Sequence, residues 1–212
     1  MSVWHVNLPA LPHRVCPFVR FRSDARGVAA VEFAMVLPLL ILIYFGLTEL
    51  VRAVDTSRKV TLYTRAIADL SGRATNGSPK TDDMAAIVSA AGVIMWPYPT
   101  ESLQVSIHAM GVENVSGTLT GGVCSSYPRN ARPVLALNGT NGLPATPATN
   151  NYDGARYILA EVTLPYEPVL GSTLYTWIFG ATGMVFDRKI SWAQRLDKSE
   201  VVMPGGSKCP TF

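Results

Sequence analysis

Histidine and cysteine are scarce in this 212-residue chain, three of each. Only His108 lies beyond residue 27, and it falls on the polar side of an alternating segment, so a solvated side chain is expected there rather than a catalytic base. The scarcity excludes a metal centre of the usual three or four nitrogen and sulfur ligands. Asp82 and Asp83 read as acids complementing a helix N-terminus, not as metal ligands. No nucleophile-elbow motif is present, which leaves only a Ser-His-Asp set assembled in three dimensions. Gly121-Gly122 and Gly205-Gly206 lack the strand–helix context of a phosphate loop and read as turns. Trp96, Trp177 and Trp192 read as core or sheet-face residues rather than a sugar platform. No internal repeat is found. No cofactor, no metal and no enzymatic activity are expected.

The chain also lacks any spread of basic charge. Its formal net charge is +3. Residues 1–27 carry Arg14, Arg20, Arg22 and Arg26 against the single acid Asp24, which is the whole of that excess. The remainder is neutral, so no nucleic-acid partner is expected. Directly after the basic leader comes the one membrane-length apolar run. Residues 28–47 are apolar or small throughout except Glu32. Such a run makes a helix of about 30 Å, the thickness of a bilayer's hydrocarbon core. Basic residues flanking a span stay cytoplasmic, so the N-terminus faces in and the bulk of the chain out. The run is too long for an ordinary signal-peptide core, and no small-x-small site lies beyond Leu47.

A carboxylate in that position costs roughly 2.5–3.5 kcal/mol by insertion scales, so Glu32 needs a partner or a use. Gly27 immediately precedes the run and Glu32 is the fifth residue after it, which points to a cleavage site between Gly27 and Val28. Cleavage there frees the amine of Val28, one helical turn from Glu32, and the carboxylate can meet that amine in its own or a neighbouring subunit.

The expected organisation is a cleaved leader at 1–27, a transmembrane helix at 28–50 and an amphipathic extension at 51–72. An α+β domain at 73–212 completes it, outside the membrane. Pro38 falls inside the span and removes a donor to the carbonyl of Ala34, so a kink is expected. In the extension, Leu50, Val51, Val54, Leu62, Ile67 and Leu70 form the expected buried stripe. A helix is expected over 81–94 with Thr81 as its N-cap. Alternation predicts a strand at 103–109 with 112–120 returning as its hairpin partner, then strands at 156–165 and 184–196. Tyr175 to Phe179 reads as a short aromatic segment. Residues 125–155, dense in Asn, Gly, Pro and Thr, read as a flexible surface loop. In an oxidising compartment Cys124 and Cys209 read as one disulfide, with Cys16 left in the leader.

The segment Gly27-Val28-Ala29-Ala30-Val31-Glu32-Phe33, with Leu37-Pro38 after it and Phe45-Gly46 and Glu49 beyond, resembles the start of TadE-like pseudopilins. These are minor components of the Flp, or tight-adherence, pilus system of bacteria. The detailed likeness covers about 45 residues; the outer domain is similar only in overall pattern. The resemblance implies cutting after Gly27 by a prepilin peptidase at the inner membrane, and an assembly role for Glu32 and Phe33. It implies other pilin or pseudopilin subunits and the pilus assembly platform as partners. The competing readings are a signal-anchored periplasmic module that binds an envelope ligand, and a membrane-tethered hydrolase.

Overall fold

A computed structural model describes residues 26–73, 78–169, 172–180, 182–195 and 200–210. The leader reading for residues 1–25, with Cys16, lies outside the described residues, as does Leu196 at the end of the last expected strand. The chain divides into two compact units, Met1–Gly46 and Leu47–Phe212. One helix, α1 (Arg26–Gly72, 47 residues), runs through the boundary and contains Pro38. In the first unit every side chain from 27 to 46 is exposed, and the helix is long and apolar enough to cross a membrane.

The second unit is α+β. It holds the outer part of α1, α2 (Thr81–Ser89), α3 (Ala91–Ile94) and α4 (Ser172–Phe179), with four strands. These are β1 (Gln104–Val115), β2 (Thr118–Tyr127), β3 (Arg156–Tyr166) and β4 (Met184–Ala193). They form one antiparallel sheet in the order β2-β1-β3-β4. Thus the first and last strands to be read from alternation are both there, and the expected α+β class with a long apolar helix ahead of an antiparallel sheet is the one observed.

Several local expectations are corrected. β1 does not stop near residue 110 but continues to Val115. The hairpin turns at Ser116 and Gly117, whose φ of 52° and 88° are the left-handed pair that a two-residue hairpin needs. β2 therefore extends to Tyr127, three residues into the stretch read as loop. The helix expected over 81–94 is two helices that meet at Ala90. Its N-cap is Lys80 rather than Thr81, because Asp83 Oδ2 accepts the Lys80 N–H at 3.1 Å. The aromatic segment at 175–179 is the second half of α4.

The largest correction concerns the face that α1 buries. Val60, Tyr63, Ile67 and Ala68 are fully buried with Thr56, Thr64 and Ser71, a stripe at helical spacing. Of the residues expected inside, only Ile67 is; Leu50, Val51, Val54, Leu62 and Leu70 are exposed. Threonines can turn inward because their hydroxyls bond to their own helix: Thr56 Oγ1 donates to Arg52 O at 2.8 Å and Thr64 Oγ1 to Val60 O at 2.7 Å. A buried hydroxyl so satisfied escapes the penalty of an unpaired one. That stripe packs with Met84, Ala91 and Met95 onto Ile107, Ala109, Ile158, Ala160 and Val162 of the sheet. A side chain such as Ile67, buried whole, contributes roughly 1.5–3 kcal/mol.

The opposite face of the sheet is also covered. Met110, Val112, Val123, Tyr157 and Leu159 cluster with Ala136, Leu143 and Ala155 from the segment that joins β2 to β3. That segment closes a second core layer although it holds little regular structure beyond a 3-10 turn at Ala148–Asn150.

Candidate functional site

Gly27 and Val28 lie in the first turns of α1, and a Cβ at Gly27 would meet nothing within 4 Å. Val28 and Phe33 are exposed, at 55% and 60%. Glu32 stands one turn after Val28 on the same helix. Among the described residues it has neither a hydrogen-bond nor an ion-pair partner. A single apolar helix with a carboxylate in its second turn is long and apolar enough to cross a membrane, and it can offer that carboxylate to an amine.

The second unit contains a polar cluster that the sequence reading missed. His108 is fully buried, against the expectation of a solvated side chain. Its Nδ1 lies 2.9 Å from Ser126 Oγ and its Nε2 3.1 Å from Glu161 Oε2. Glu161 also accepts from Arg132 Nε at 3.2 Å and Nη2 at 3.1 Å, and pairs with Lys189 Nζ at 3.4 Å. Burial opposes ionisation of Glu161. The hydrogen bond and charge of His108 and the charge of Arg132 outweigh it and hold the carboxyl at a pKa of about 2. His108 is on the solvent-side register of β1 by alternation, but the β2–β3 segment covers that face, so the register position no longer means exposure.

Ser126, His108 and Glu161 stand in the order of a nucleophile–base–acid chain. The order is inverted with respect to solvent. A polar groove of about 410 Å³ above the cluster is lined by Glu161, Arg132, Arg129, Ser106 and Lys189, and neither Ser126 nor His108 reaches it. A hydrolytic serine must face its substrate; here the acid faces the groove and the serine faces inward. Arg132 and Lys189 already occupy the acid. The arrangement ties β1, β2, β3 and β4 to the covering segment, and that is its chemistry. Among the described residues no group of three or more His, Cys, Asp or Glu is disposed to hold a metal ion.

The two unusual features of the chain are therefore an exposed apolar helix with one carboxylate near its start and a wrapped sheet. Residues 27–69 match the family model described as TadE-like protein. No curated protein and no solved structure matches the chain. The TadE-like segment supports a subunit associated with a Tad pilus, and the family is one of structural pilus subunits rather than enzymes. The match covers α1 nearly end to end and stops short of α2, so it says nothing about the sheet.

Within the second unit, the outer half of the TadE-like segment is fixed by polar contacts along its length. Tyr166 donates its hydroxyl to Glu49, and burial together with that carboxylate pushes the Tyr166 phenol well above its ordinary pKa. Tyr98 donates to Asp55 Oδ2 at 2.8 Å. Arg188 reaches Ser57 Oγ at 2.8 Å and Thr61 Oγ1 at 3.1 Å. Trp192 Nε1 donates to Asp69 Oδ1 at 3.0 Å, so Trp192 is a sheet-face residue as expected. Trp96 and Trp177 are not: they are 74% and 82% exposed.

Cys124 and Cys209 are brought together, with Cα atoms 4.5 Å apart, inside the range a disulfide spans. Cys124 is the extra residue of a bulge in β2, where Ala109 pairs with Ser125 but Met110 pairs with Val123. Gly111 of β1 lies beside the pair. A Cβ there would approach Cys209 Sγ to 2.7 Å and Cys124 Sγ to 3.0 Å, so the strand needs glycine at this point.

Proposed function

We propose that this protein is a minor pseudopilin-type subunit of a Flp, or tight-adherence, pilus or a related secretion apparatus. A prepilin peptidase removes residues 1–27. The processed chain spans the inner membrane once through residues 28–50, with its leader side cytoplasmic and residues 73–212 in the periplasm. Glu32 and Phe33 engage the other pilin or pseudopilin subunits and the assembly platform, and Cys124 and Cys209 form a disulfide. The observation that carries this reading is the TadE-like match over 27–69. It coincides with a membrane-length helix in which Gly27 precedes the apolar run and Glu32 stands one turn after Val28.

The test is the mature N-terminus, read by mass spectrometry in cells with and without their prepilin peptidase. Val28 as the first residue, only where the peptidase is active, is the expected result. Uncut protein in the presence of active peptidase refutes processing. The groove above Glu161 favours one second reading, a signal-anchored module that binds an envelope ligand. Such a module keeps its function when residues 51–212 are joined to an unrelated anchor, whereas an assembly subunit loses it.

A further inference from the structure

The sheet has two edge strands, β2 and β4, and only one of them is closed. The chain after β2 folds back along that strand's edge. Leu135 N donates to Val123 O at 2.8 Å, Val123 N to Ala136 O at 3.1 Å and Asn138 N to Gly121 O at 3.1 Å. β4 pairs with β3 along all ten of its residues. Among the described residues, none makes a backbone hydrogen bond to its other side; the first such bond comes beyond the strand, from Arg195 N to Gly72 O at 3.2 Å. None of the ten residues is buried. The outer side of β4 therefore presents a row of unpaired N–H and C=O groups, which is a template for another strand.

Two pockets open along this edge. Asp187 and Lys189 line the groove above Glu161, with Arg129 and Arg132 on its wall. A second pocket, of about 490 Å³, is lined by Ser191, Trp192, Ala193 and Arg195, with Asn150 and Tyr152 from the segment between β2 and β3. Asp187, Lys189, Ser191 and Ala193 are alternate residues of one strand, so they share a face of the sheet. From Lys189 to Ala193 the strand advances about 13 Å. Charge selects the occupant. The two pockets present four cations, Arg129, Arg132, Lys189 and Arg195, against two acids, Glu161 and Asp187. Arg129 has no ion-pair or hydrogen-bond partner among the described residues. Arg195 shares its acid, Asp69, with Arg73. A second copy of β4 is a poor complement, because its own charges are Asp187, Arg188 and Lys189, again cationic in sum. Charged side chains in the middle of an edge also oppose self-pairing.

We propose that the open edge of β4 receives an extended acidic segment of another protein as an added strand, with carboxylates at alternate positions over the groove and the second pocket. Main-chain hydrogen bonds to β4 give the segment its hold, and side chains that meet Arg129 and Arg195 give it selectivity. The edge lies wholly in the second unit, so the proposal does not rest on the anchor reading.

The probe is a fluorescent peptide, Thr-Glu-Val-Glu-Val-Glu-Thr, added to the full chain in non-ionic detergent and followed by anisotropy. Saturable binding is expected. A peptide of the same charge with proline in place of each valine lacks those donors and should bind about tenfold more weakly or not at all. Arg129→Glu and Arg195→Gln, both at exposed positions, should each weaken the first peptide by about tenfold. Amide hydrogen exchange should slow in residues 184–193 when the peptide is bound and stay unchanged in β1. Absence of binding overturns the proposal. So does equal binding of the two peptides, or unchanged exchange in β4, since either leaves only a diffuse charge attraction. Affinity indifferent to both arginine variants overturns the acidic partner, as does a dimer paired through β4 that excludes the peptide.

Discussion

Replacing Glu161 by Gln removes the charge at the centre of the buried cluster while keeping its shape. Its side chain is 8% exposed, against 22% for Arg132 and 28% for Lys189. The fall from an ordinary 4.5 to about 2 corresponds to about 3 kcal/mol of preference for the ionised form in the folded state. Partial exposure of both cations brings this to about 2–3 kcal/mol. The folded pKa is depressed, so this stability is fully present above pH 4.5 and is lost as pH falls from there toward 2. The neutral amide of Glu161→Gln stands in for the protonated acid. It leaves Arg132 without its counter-charge at pH 7, and leaves Lys189 only Asp187, at 3.8 Å. Urea unfolding of the full chain in non-ionic detergent, wild type against variant, is the assay. The expected gap is about 2–3 kcal/mol at pH 7, closing as pH approaches 2. Other acids titrate over the same range but cancel in the difference. A gap that is absent at pH 7, or that stays constant from pH 7 to 2, refutes the electrostatic account of the cluster.

The proposed assembly role carries two further expected outcomes. Cys124 and Cys209 should resist alkylation in exported protein until it is reduced, and free thiols at both sites refute the disulfide. Across a sequence separation of 85, replacing both by Ser should cost up to about 4–5 kcal/mol by chain entropy, an upper figure that depends on that account. Glu32→Ala and Glu32→Gln should insert as well as wild type or better, by up to about 3 kcal/mol. Both should be processed yet fail to co-purify with pilus subunits, and recovery equal to wild type refutes an assembly role for Glu32.

Much of the fold was legible because its signals are local. A run of twenty residues without a charge except Glu32 needs no partner to declare a membrane-length helix. Alternation over 103–109 and 156–165 marked β1 and β3 because each has a face that the helices cover. The TadE-like likeness rested on the same contiguous stretch. The hairpin was misplaced because Met110 and Val112 interrupt the alternation: both faces of β1 are buried there, and a strand covered on both sides loses its period-two pattern.

The sequence by itself determined the anchor-like helix and the class of the fold, since length and hydropathy do not depend on distant neighbours. The tertiary structure alone decided which side of α1 is inside. Threonine hydroxyls that bond to their own helix can be buried, so apolarity did not separate Thr56 and Thr64, which are inside, from Leu50 and Val54, which are not. It alone decided that His108 is buried, because Ser126 and Glu161, which satisfy its ring, come from 18 and 53 residues away. Burial of a polar side chain is set by whether partners arrive from elsewhere in the chain, and no local pattern carries that information.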